Sequence, residues 1–124
     1  MDRPTVLIVD DCVAERDLYQ FALESEFDVL TAGRGSEAVS IAAKHHPDAI
    51  VLDVMMPELD GWETCARLKA NKDTIDIPVV FLTGLADENL PRRAKAVWAS
   101  AILHKPCPGD ALRDAILHAI DELR

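Results

Sequence analysis

The sequence predicts one α/β domain, built as a doubly wound, five-stranded parallel sheet with helices on both faces. Five short apolar runs, rich in β-branched residues, alternate along the chain with five segments whose apolar residues recur every three or four positions. This alternation is typical of a parallel sheet, because right-handed crossovers place the helices on its two faces. A chain of 124 residues also fits one domain with its own core. We expect that domain to span residues 1–124.

The strands are predicted from the apolar runs. The first, third and fourth runs are apolar throughout, as in strands that are covered on both faces. The second run is weaker and the fifth is short. A proline at the start of the fourth run is tolerated because a strand loses least there from a missing N–H. The predicted strands are residues 5–9, 28–32, 49–52, 79–82 and 101–103.

The helices are predicted from the periodic segments between these strands. The first segment places Ala14, Leu18, Phe21 and Ala22 on one apolar face. The second, third and fourth helices are predicted near residues 36–44, 61–71 and 90–98, and the second stops before a proline. The last helix has the clearest apolar stripe, which consists of Leu112, Ala115, Ile116, Ala119, Ile120 and Leu123.

Composition excludes several classes of function. The chain carries 22 acidic and 13 basic residues and a net charge of −9, which argues against direct nucleic-acid binding. Its three cysteines have neither metal-site nor CxxC spacing, which indicates a reducing compartment. No apolar run approaches the length of a membrane span, and the start of the chain lacks a signal-peptide pattern. We expect a cytoplasmic protein without membrane contact.

Charged and hydroxyl residues stand at four of the predicted strand ends. Asp10 and Asp11 follow the first strand, Asp53 the third, Thr83 the fourth and Lys105 the fifth. A lone Asp at a strand end usually caps the next helix. However, the carboxyl ends of parallel strands share one edge, where ligands of such sheets bind. The pattern therefore predicts a single cleft that contains three carboxylates, a hydroxyl and an amine.

These residue types favour metal-assisted phosphoryl chemistry. Crowded carboxylates repel one another by about 4 kcal/mol per pair at about 4 Å, and a divalent cation relieves that repulsion. Oxygen ligands select Mg²⁺, with Mn²⁺ as a substitute. A carboxylate oxygen can attack phosphorus to form an acyl phosphate. The cation and Lys105 would neutralise charge, and Thr83 would donate a hydrogen bond to the phosphoryl group.

Taken together, these motifs resemble the receiver domain of bacterial response regulators. The resemblance rests on the Asp10-Asp11 pair, Asp53 within residues 52–61, Thr83, and the Lys105-Pro106 dipeptide. It implies a flavodoxin-like fold with strand order 2-1-3-4-5 in three α/β/α layers. It also implies a cis bond before Pro106, and a turn after Asp53 that is shaped by Pro57 and Gly61.

The resemblance implies a role for each site residue. Asp53 would be the phosphoacceptor, supplied by a histidine kinase or a phosphotransfer protein. Asp11 and Asp53 would ligate Mg²⁺ directly, Asp10 mainly through water, and Met55 through its backbone carbonyl. Thr83 and Lys105 would bind the phosphoryl group. Such a domain is a signalling switch rather than a turnover enzyme, and its output passes to an unidentified downstream protein or to a fused output domain.

Some positions depart from the family pattern. Ile102 stands where the family's switch uses an aromatic residue, Trp98 where a glycine usually ends the fourth helix, and Cys107 where a phenylalanine is common. An aromatic relay is therefore not expected, and the fourth helix is expected to end differently. Met55 and Leu85 occupy the positions that tune phosphoryl lifetime, and both are apolar. We expect slow self-dephosphorylation.

Three other functions could use similar residues. A phosphatase of the haloacid-dehalogenase type would need its nucleophile on the first strand and a second Asp two positions later, whereas Asp10 and Asp11 are adjacent. A degenerate receiver would lack key residues. An FMN carrier would need a hydroxyl- and glycine-rich loop after the first strand.

Outside the cleft, Trp62 and Trp98 are expected to be partly buried. Three basic residues, Arg92, Arg93 and Lys95, form either a solvated face or a docking patch for an acidic partner.

Overall fold

The computed structural model describes residues 3–122, and its parallel sheet has the strand order β2-β1-β3-β4-β5. This confirms the predicted architecture. The strands are β1 (Thr5–Val9), β2 (Asp28–Ala32), β3 (Ala49–Leu52), β4 (Val79–Thr83) and β5 (Ala101–His104). The last two strands are each one residue longer than predicted, because Thr83 and His104 pair with each other in the parallel register.

Five helices connect the strands. They are α1 (Val13–Leu23), α2 (Gly35–His45), α3 (Gly61–Ala70), α4 (Leu90–Ala96) and α5 (Gly109–Asp121). Residue Leu123 of the predicted final stripe lies outside the described residues. Within residues 3–122, no helix combines the length and the apolar character that a membrane crossing requires.

Two cores lie on opposite faces of the sheet. One core packs α1 and α5 against the sheet and includes Tyr19, Leu23, Leu112, Ile116 and Ile120. The other core packs α2, α3 and α4 against the opposite face and includes Ala38, Ala42, Trp62, Leu68 and Leu90. Because both faces are covered, every residue of β3 and β4 is buried, which is the physical reason for their continuous apolar sequence.

The predicted apolar face of α1 is wrong. Leu18 and Phe21 are 59% and 76% exposed, and Ala14 and Ala22 are exposed as well. The helix instead buries Tyr19 and Leu23, which lie one turn apart on its other side. Those two side chains join the core formed with α5. An apolar strip of α1 therefore faces solvent.

The prediction for Trp98 is also wrong, whereas Trp62 is buried more fully than expected. The side chain of Trp98 is 80% exposed, and its φ of 64° is left-handed. Trp98 N–H donates to the Lys95 carbonyl and Ala99 N–H to the Ala94 carbonyl, which closes α4 as a glycine would. The helix thus ends in the usual geometry despite the missing glycine, at a cost of about 1–2 kcal/mol for a residue with a side chain.

Candidate functional site

The ends of β1 and β3 bring the three predicted aspartates together. Val9 pairs with Leu52, and Asp53 N–H donates to the Val9 carbonyl at 3.0 Å. This register sets the residues that follow both strands side by side. Carboxylate oxygens of Asp10, Asp11 and Asp53 all lie within 4.8 Å of one another. Asp10 and Asp53 are buried, and Asp11 is exposed.

Lys105 reaches this carboxylate group from the end of β5. Its ammonium lies 2.7 Å from Asp10 Oδ2 and 3.3 Å from Asp53 Oδ2. The Lys105 backbone N–H donates to the Thr83 carbonyl at 2.8 Å, which fixes the backbone position from which the Lys105 side chain extends. The side chain is only 11% exposed, so these contacts are poorly screened by water. Its bond to Pro106 is cis, as predicted.

Glu15 is a site residue that sequence reasoning missed. Its Oε1 lies 3.0 Å from the Lys105 ammonium, and its side chain is 41% exposed. Glu15 stands in the first turn of α1, and α1 begins beside the aspartate pair at the end of β1. That position was the available signal, because the first turn of a helix after a strand faces the same edge of the sheet.

The electrostatics of the cluster follow from its charges: three carboxylates pair with the Lys105 ammonium, and Asp11 adds a fourth beside Asp10 and Asp53. Burial raises the pKa of Asp53, the charge of Asp10 raises it further, and Lys105 partly offsets both. Burial alone would lower the pKa of Lys105, but hydrogen bonds to Asp10 and Glu15 and the Asp53 charge outweigh it, so that pKa lies above its ordinary value. The hydrogen bond from Lys105 lowers the pKa of Glu15. The cluster therefore favours additional positive charge.

Thr83 lines the same cleft as Asp53 and Lys105. It is the last residue of β4 and fully buried, and its Oγ1 accepts a hydrogen bond from Leu85 N–H at 3.1 Å. The cleft has a volume of about 330 Å³. Its lining consists of Glu15, Asp53, Met55, Thr83, Gly84, Leu85, Ala86 and Lys105. The structure thus brings together all the residues that the strand ends predict.

The loop after Asp53 is held by close backbone packing. Gly61 N–H donates to the Val54 carbonyl at 2.8 Å. The left-handed residue of this loop is Glu58, with a φ of 68°, and no glycine in the described chain has positive φ. Gly61, which was expected to shape this turn, therefore does so without a left-handed backbone. Glycine is required there for space, because a Cβ would lie 2.3 Å from the Asp53 carbonyl oxygen.

Alanine at Gly61 is expected to destabilise the fold by about 1–3 kcal/mol, because overpacking against backbone atoms cannot relax easily. Gly84 is the matched control, since a Cβ there meets no atom within 4 Å, and Gly84→Ala should change stability by less than about 0.5 kcal/mol. Urea unfolding of both variants measures the difference. Equal stabilities for the two variants would contradict this account of the loop.

The donor set fits a divalent cation. Three carboxylates within 4.8 Å supply only oxygen ligands, which suits a hard ion such as Mg²⁺. Met55 follows Asp53 by two residues, and its N–H lies 3.4 Å from Asp53 Oδ1. Its side chain is 62% exposed, so it leaves room for water at the mouth of the cleft.

Comparisons with known proteins agree with this fold. The family model for the response regulator receiver domain matches residues 6–117. The response regulator PleD of Caulobacter vibrioides is 40% identical over 102 residues, which are 82% of this chain and 22% of PleD. The DNA-binding dual master transcriptional regulator RpaA of Synechocystis sp. is 42% identical over 83 residues, which are 66% of this chain and 34% of RpaA.

A solved structure extends the match to nearly the whole chain. The signal receiver domain of a modulated diguanylate cyclase from Desulfovibrio desulfuricans G20 is 37% identical, with a TM-score of 0.87 over 98% of this chain and 97% of that one. The chain spans about a third of RpaA and less than a quarter of PleD. The absence of nucleic-acid binding stays a prediction, because RpaA is described as DNA-binding. The chain belongs to the response regulator receiver domain family, the signalling modules of two-component systems.

Proposed function

We propose that residues 1–124 form a Mg²⁺-dependent phosphoacceptor switch in which Asp53 accepts the phosphoryl group. The observation that carries this proposal is the position of the Lys105 ammonium, 3.3 Å from Asp53 and 2.7 Å from Asp10. Those two carboxylates also gather with Asp11 into one oxygen cluster. A lysine and a cation-binding cluster on the same carboxylate are what acyl phosphate formation requires.

Three aspartates would hold the ion, and their roles differ. Asp11 and Asp53 would ligate directly, Asp10 mainly through water, and the Met55 carbonyl would complete the protein ligands. Bound there, Mg²⁺ would neutralise charge on the phosphoryl oxygens, and Mn²⁺ would substitute because it also accepts oxygen ligands. The hydrogen-bond distances support this division. Asp10 accepts from Cys12 N–H and Lys105 at 2.9 and 2.7 Å, whereas the corresponding distances at Asp53, from Met55 N–H and Lys105, are 3.4 and 3.3 Å.

The transfer step uses the side chains around the cleft. An oxygen of Asp53 attacks phosphorus, the new O–P bond forms, and the bond to the donor breaks with its electron pair leaving on the donor. Lys105 is positioned to neutralise charge on the phosphoryl oxygens. The buried Thr83 hydroxyl would donate to one of these oxygens. No proton needs to leave Asp53, because the carboxylate itself is the nucleophile.

The conformational signal would start at the Thr83 hydroxyl. In the structure its Oγ1 accepts from Leu85 N–H, so turning toward a phosphoryl group would weaken that bond and release the loop before α4. Ile102 is half-buried and packs against the core near α4, and it has no ring to swing inward. The signal would therefore pass by loop movement, which shifts the balance between two conformations.

The exposed strip of α1 is the surface that we assign to the phosphodonor protein. Leu18 and Phe21 of this strip are 59% and 76% exposed, and Val13 at the start of α1 is 58% exposed. All three share a helix with Glu15 of the cleft. Exposed apolar residues beside a reactive group mark a protein docking surface. The donor would be a histidine kinase or a phosphotransfer protein. The downstream protein or fused output domain stays unidentified, and no nucleic-acid or membrane partner is proposed.

Serine in place of Phe21 is expected to slow phosphotransfer from a phosphorylated histidine phosphotransfer protein by about tenfold or more, because aromatic anchors dominate such interfaces. Uptake from acetyl phosphate, a small molecule that needs no docking surface, should stay within about twofold of wild type. Ile75→Ser is the matched control, since Ile75 is also exposed, at 53%, but outside α1. Equal rates for Phe21→Ser and the wild type with the protein donor would reject this surface.

The phosphorylated domain is expected to lose its phosphoryl group slowly, over minutes or longer. Met55 and Leu85 line the cleft, and their apolar side chains can neither orient nor activate an attacking water. Phosphate release after removal of the donor measures the lifetime. Met55→Asn should shorten it by placing a polar amide at the mouth of the cleft. A lifetime of seconds for the wild type would contradict the prediction.

The proposed function is tested by incubating the domain with acetyl phosphate and Mg²⁺ and measuring its intact mass. We expect a gain of one phosphoryl group, and no gain when a chelator removes divalent ions. Mn²⁺ in place of Mg²⁺ should restore it. A domain that gains nothing would be a degenerate receiver, and steady turnover of a phosphate monoester would indicate a phosphatase instead.

A further inference from the structure

A second cleft lies at the opposite edge of the sheet from Asp53. Pro78 and Ser100, which immediately precede β4 and β5, form part of its wall. Its volume of about 520 Å³ exceeds that of the cleft at Asp53. The remaining lining residues are Lys69, Ile75, Asp76 and Trp98. Phosphoryl chemistry at the carboxyl ends of the strands uses none of these residues.

Trp98 is unfavourable for folding in two separate respects. Its backbone is left-handed, with a φ of 64°, which disfavours every residue except glycine. Its side chain is 80% exposed, so most of the indole gains nothing from the core. Ile75 beside it is 53% exposed. An exposed aromatic residue held in a strained conformation at the wall of a cleft indicates a binding site.

The charged groups of this cleft point to a cationic occupant. The Lys69 ammonium donates to the carbonyls of Ile75 and Ile77 at 3.1 and 2.6 Å, so these two hydrogen bonds of Lys69 are made within the protein rather than to an occupant of the cleft. The Asp76 side chain is 65% exposed, and His46 Nε2 lies 3.3 Å from its Oδ1. An adjoining smaller cleft shares Asp76 and adds Asp48. Carboxylates next to an exposed indole suit a guanidinium, which stacks on the ring and pairs with the acid.

We propose that this cleft docks an arginine-bearing segment of a partner protein. The arginine would lie between Trp98 and Asp76, and an adjacent apolar side chain would pack on Ile75 and Pro78. The net charge of −9 favours approach of a basic segment. The two clefts share no lining residue, so phosphoryl uptake from acetyl phosphate at Asp53 is expected to proceed without this surface.

The test uses random dodecapeptides displayed on phage and selected on the wild-type domain. We expect enriched peptides with an arginine close to an apolar residue. Labelled synthetic copies, titrated by fluorescence anisotropy, should bind Trp98→Ala and Asp76→Asn about tenfold or more weakly. Leu117→Ala is the matched control, because Leu117 is an exposed apolar residue on α5 that lines neither cleft, and it should leave affinity unchanged.

Thermal unfolding of Trp98→Gly gives a second readout. We expect Tm to rise by about 3–5 °C, because glycine removes the backbone strain. A lower Tm would make Trp98 a structural residue and overturn the proposal. Enrichment of acidic peptides, equal affinity for Asp76→Asn, or no enrichment would overturn it as well. Uptake of phosphoryl from acetyl phosphate, measured on the same variants, should match wild type, so failure here is distinguishable from failure of the switch.

Discussion

Alanine in place of Asp53 is expected to abolish phosphoryl uptake from acetyl phosphate and Mg²⁺, to below detection by intact mass. Asp53 and Glu15 are the only carboxylates that line the cleft next to Thr83 and Lys105 among the described residues. Asp10 is engaged by Cys12 N–H at 2.9 Å and by Lys105, and Asp11 makes no ion pair with Lys105 within residues 3–122. Glu15 pairs with Lys105 at 3.0 Å and lies outside the oxygen cluster of Asp10, Asp11 and Asp53, so no other carboxylate of the described residues combines the cleft with that cluster.

Asparagine at Asp53 supplies the shape-matched control for this loss. It keeps the size of the side chain and removes one of the like charges next to Asp10, so the fold should persist. Asp17→Ala, at an exposed position of α1, controls for loss of an arbitrary aspartate and should gain one phosphoryl group as wild type does. Uptake by either Asp53 variant would place the acceptor elsewhere and reject the proposed role.

Sequence was sufficient for the sheet and for the residues at its ends. An apolar run covered on both faces has few alternatives to a buried parallel strand, so β1 and β3 were predicted to the residue. The weaker and more exposed β2 was predicted to the residue as well. Once the sheet is parallel, Asp10, Asp53, Thr83 and Lys105 must share one edge. Their convergence therefore follows from topology and does not depend on side-chain detail.

Helix faces and caps could not be predicted in the same way. α1 carries apolar residues on two sides, and packing against the sheet and α5 decides which side is buried. The buried side includes Tyr19, whose hydroxyl accepts a hydrogen bond from Cys107 N–H at 3.5 Å, a polar residue that an apolar pattern omits. The same limit applies to Glu15 and Trp98. By sequence, Glu15 is an ordinary acidic residue in the first turn of a helix, and only the position of Lys105 shows that it belongs to the site. By sequence, Trp98 resembles a core residue, and only the position at which α4 ends shows that it is exposed.

Alanine in place of Lys105 is expected to slow phosphoryl uptake from acetyl phosphate by about 100-fold or more, which is typical for loss of one preorganised charge-stabilising group. Lys69→Ala is the matched control for the chemistry. Lys69 is also a partly buried lysine that donates to backbone carbonyls, but it lies at the opposite edge of the sheet. Its removal should leave the rate of uptake by the folded protein within about twofold of wild type.

The same substitution has a second consequence, because catalysis and folding use one ammonium. Within residues 3–122, Lys105 is the only lysine or arginine that pairs with Asp10, Glu15 and Asp53. Its loss leaves buried carboxylates uncompensated, at a cost of about 3 kcal/mol. If Asp10, Asp11 and Asp53 bind a divalent ion, Mg²⁺ should raise the Tm of Lys105→Ala more than that of wild type, because it supplies the missing positive charge. Phosphoryl uptake by Lys105→Ala at the wild-type rate would mean that Lys105 does not contact the phosphoryl group. A Tm that changes with neither the substitution nor Mg²⁺ would mean that Lys105 does not balance the charge of the carboxylates.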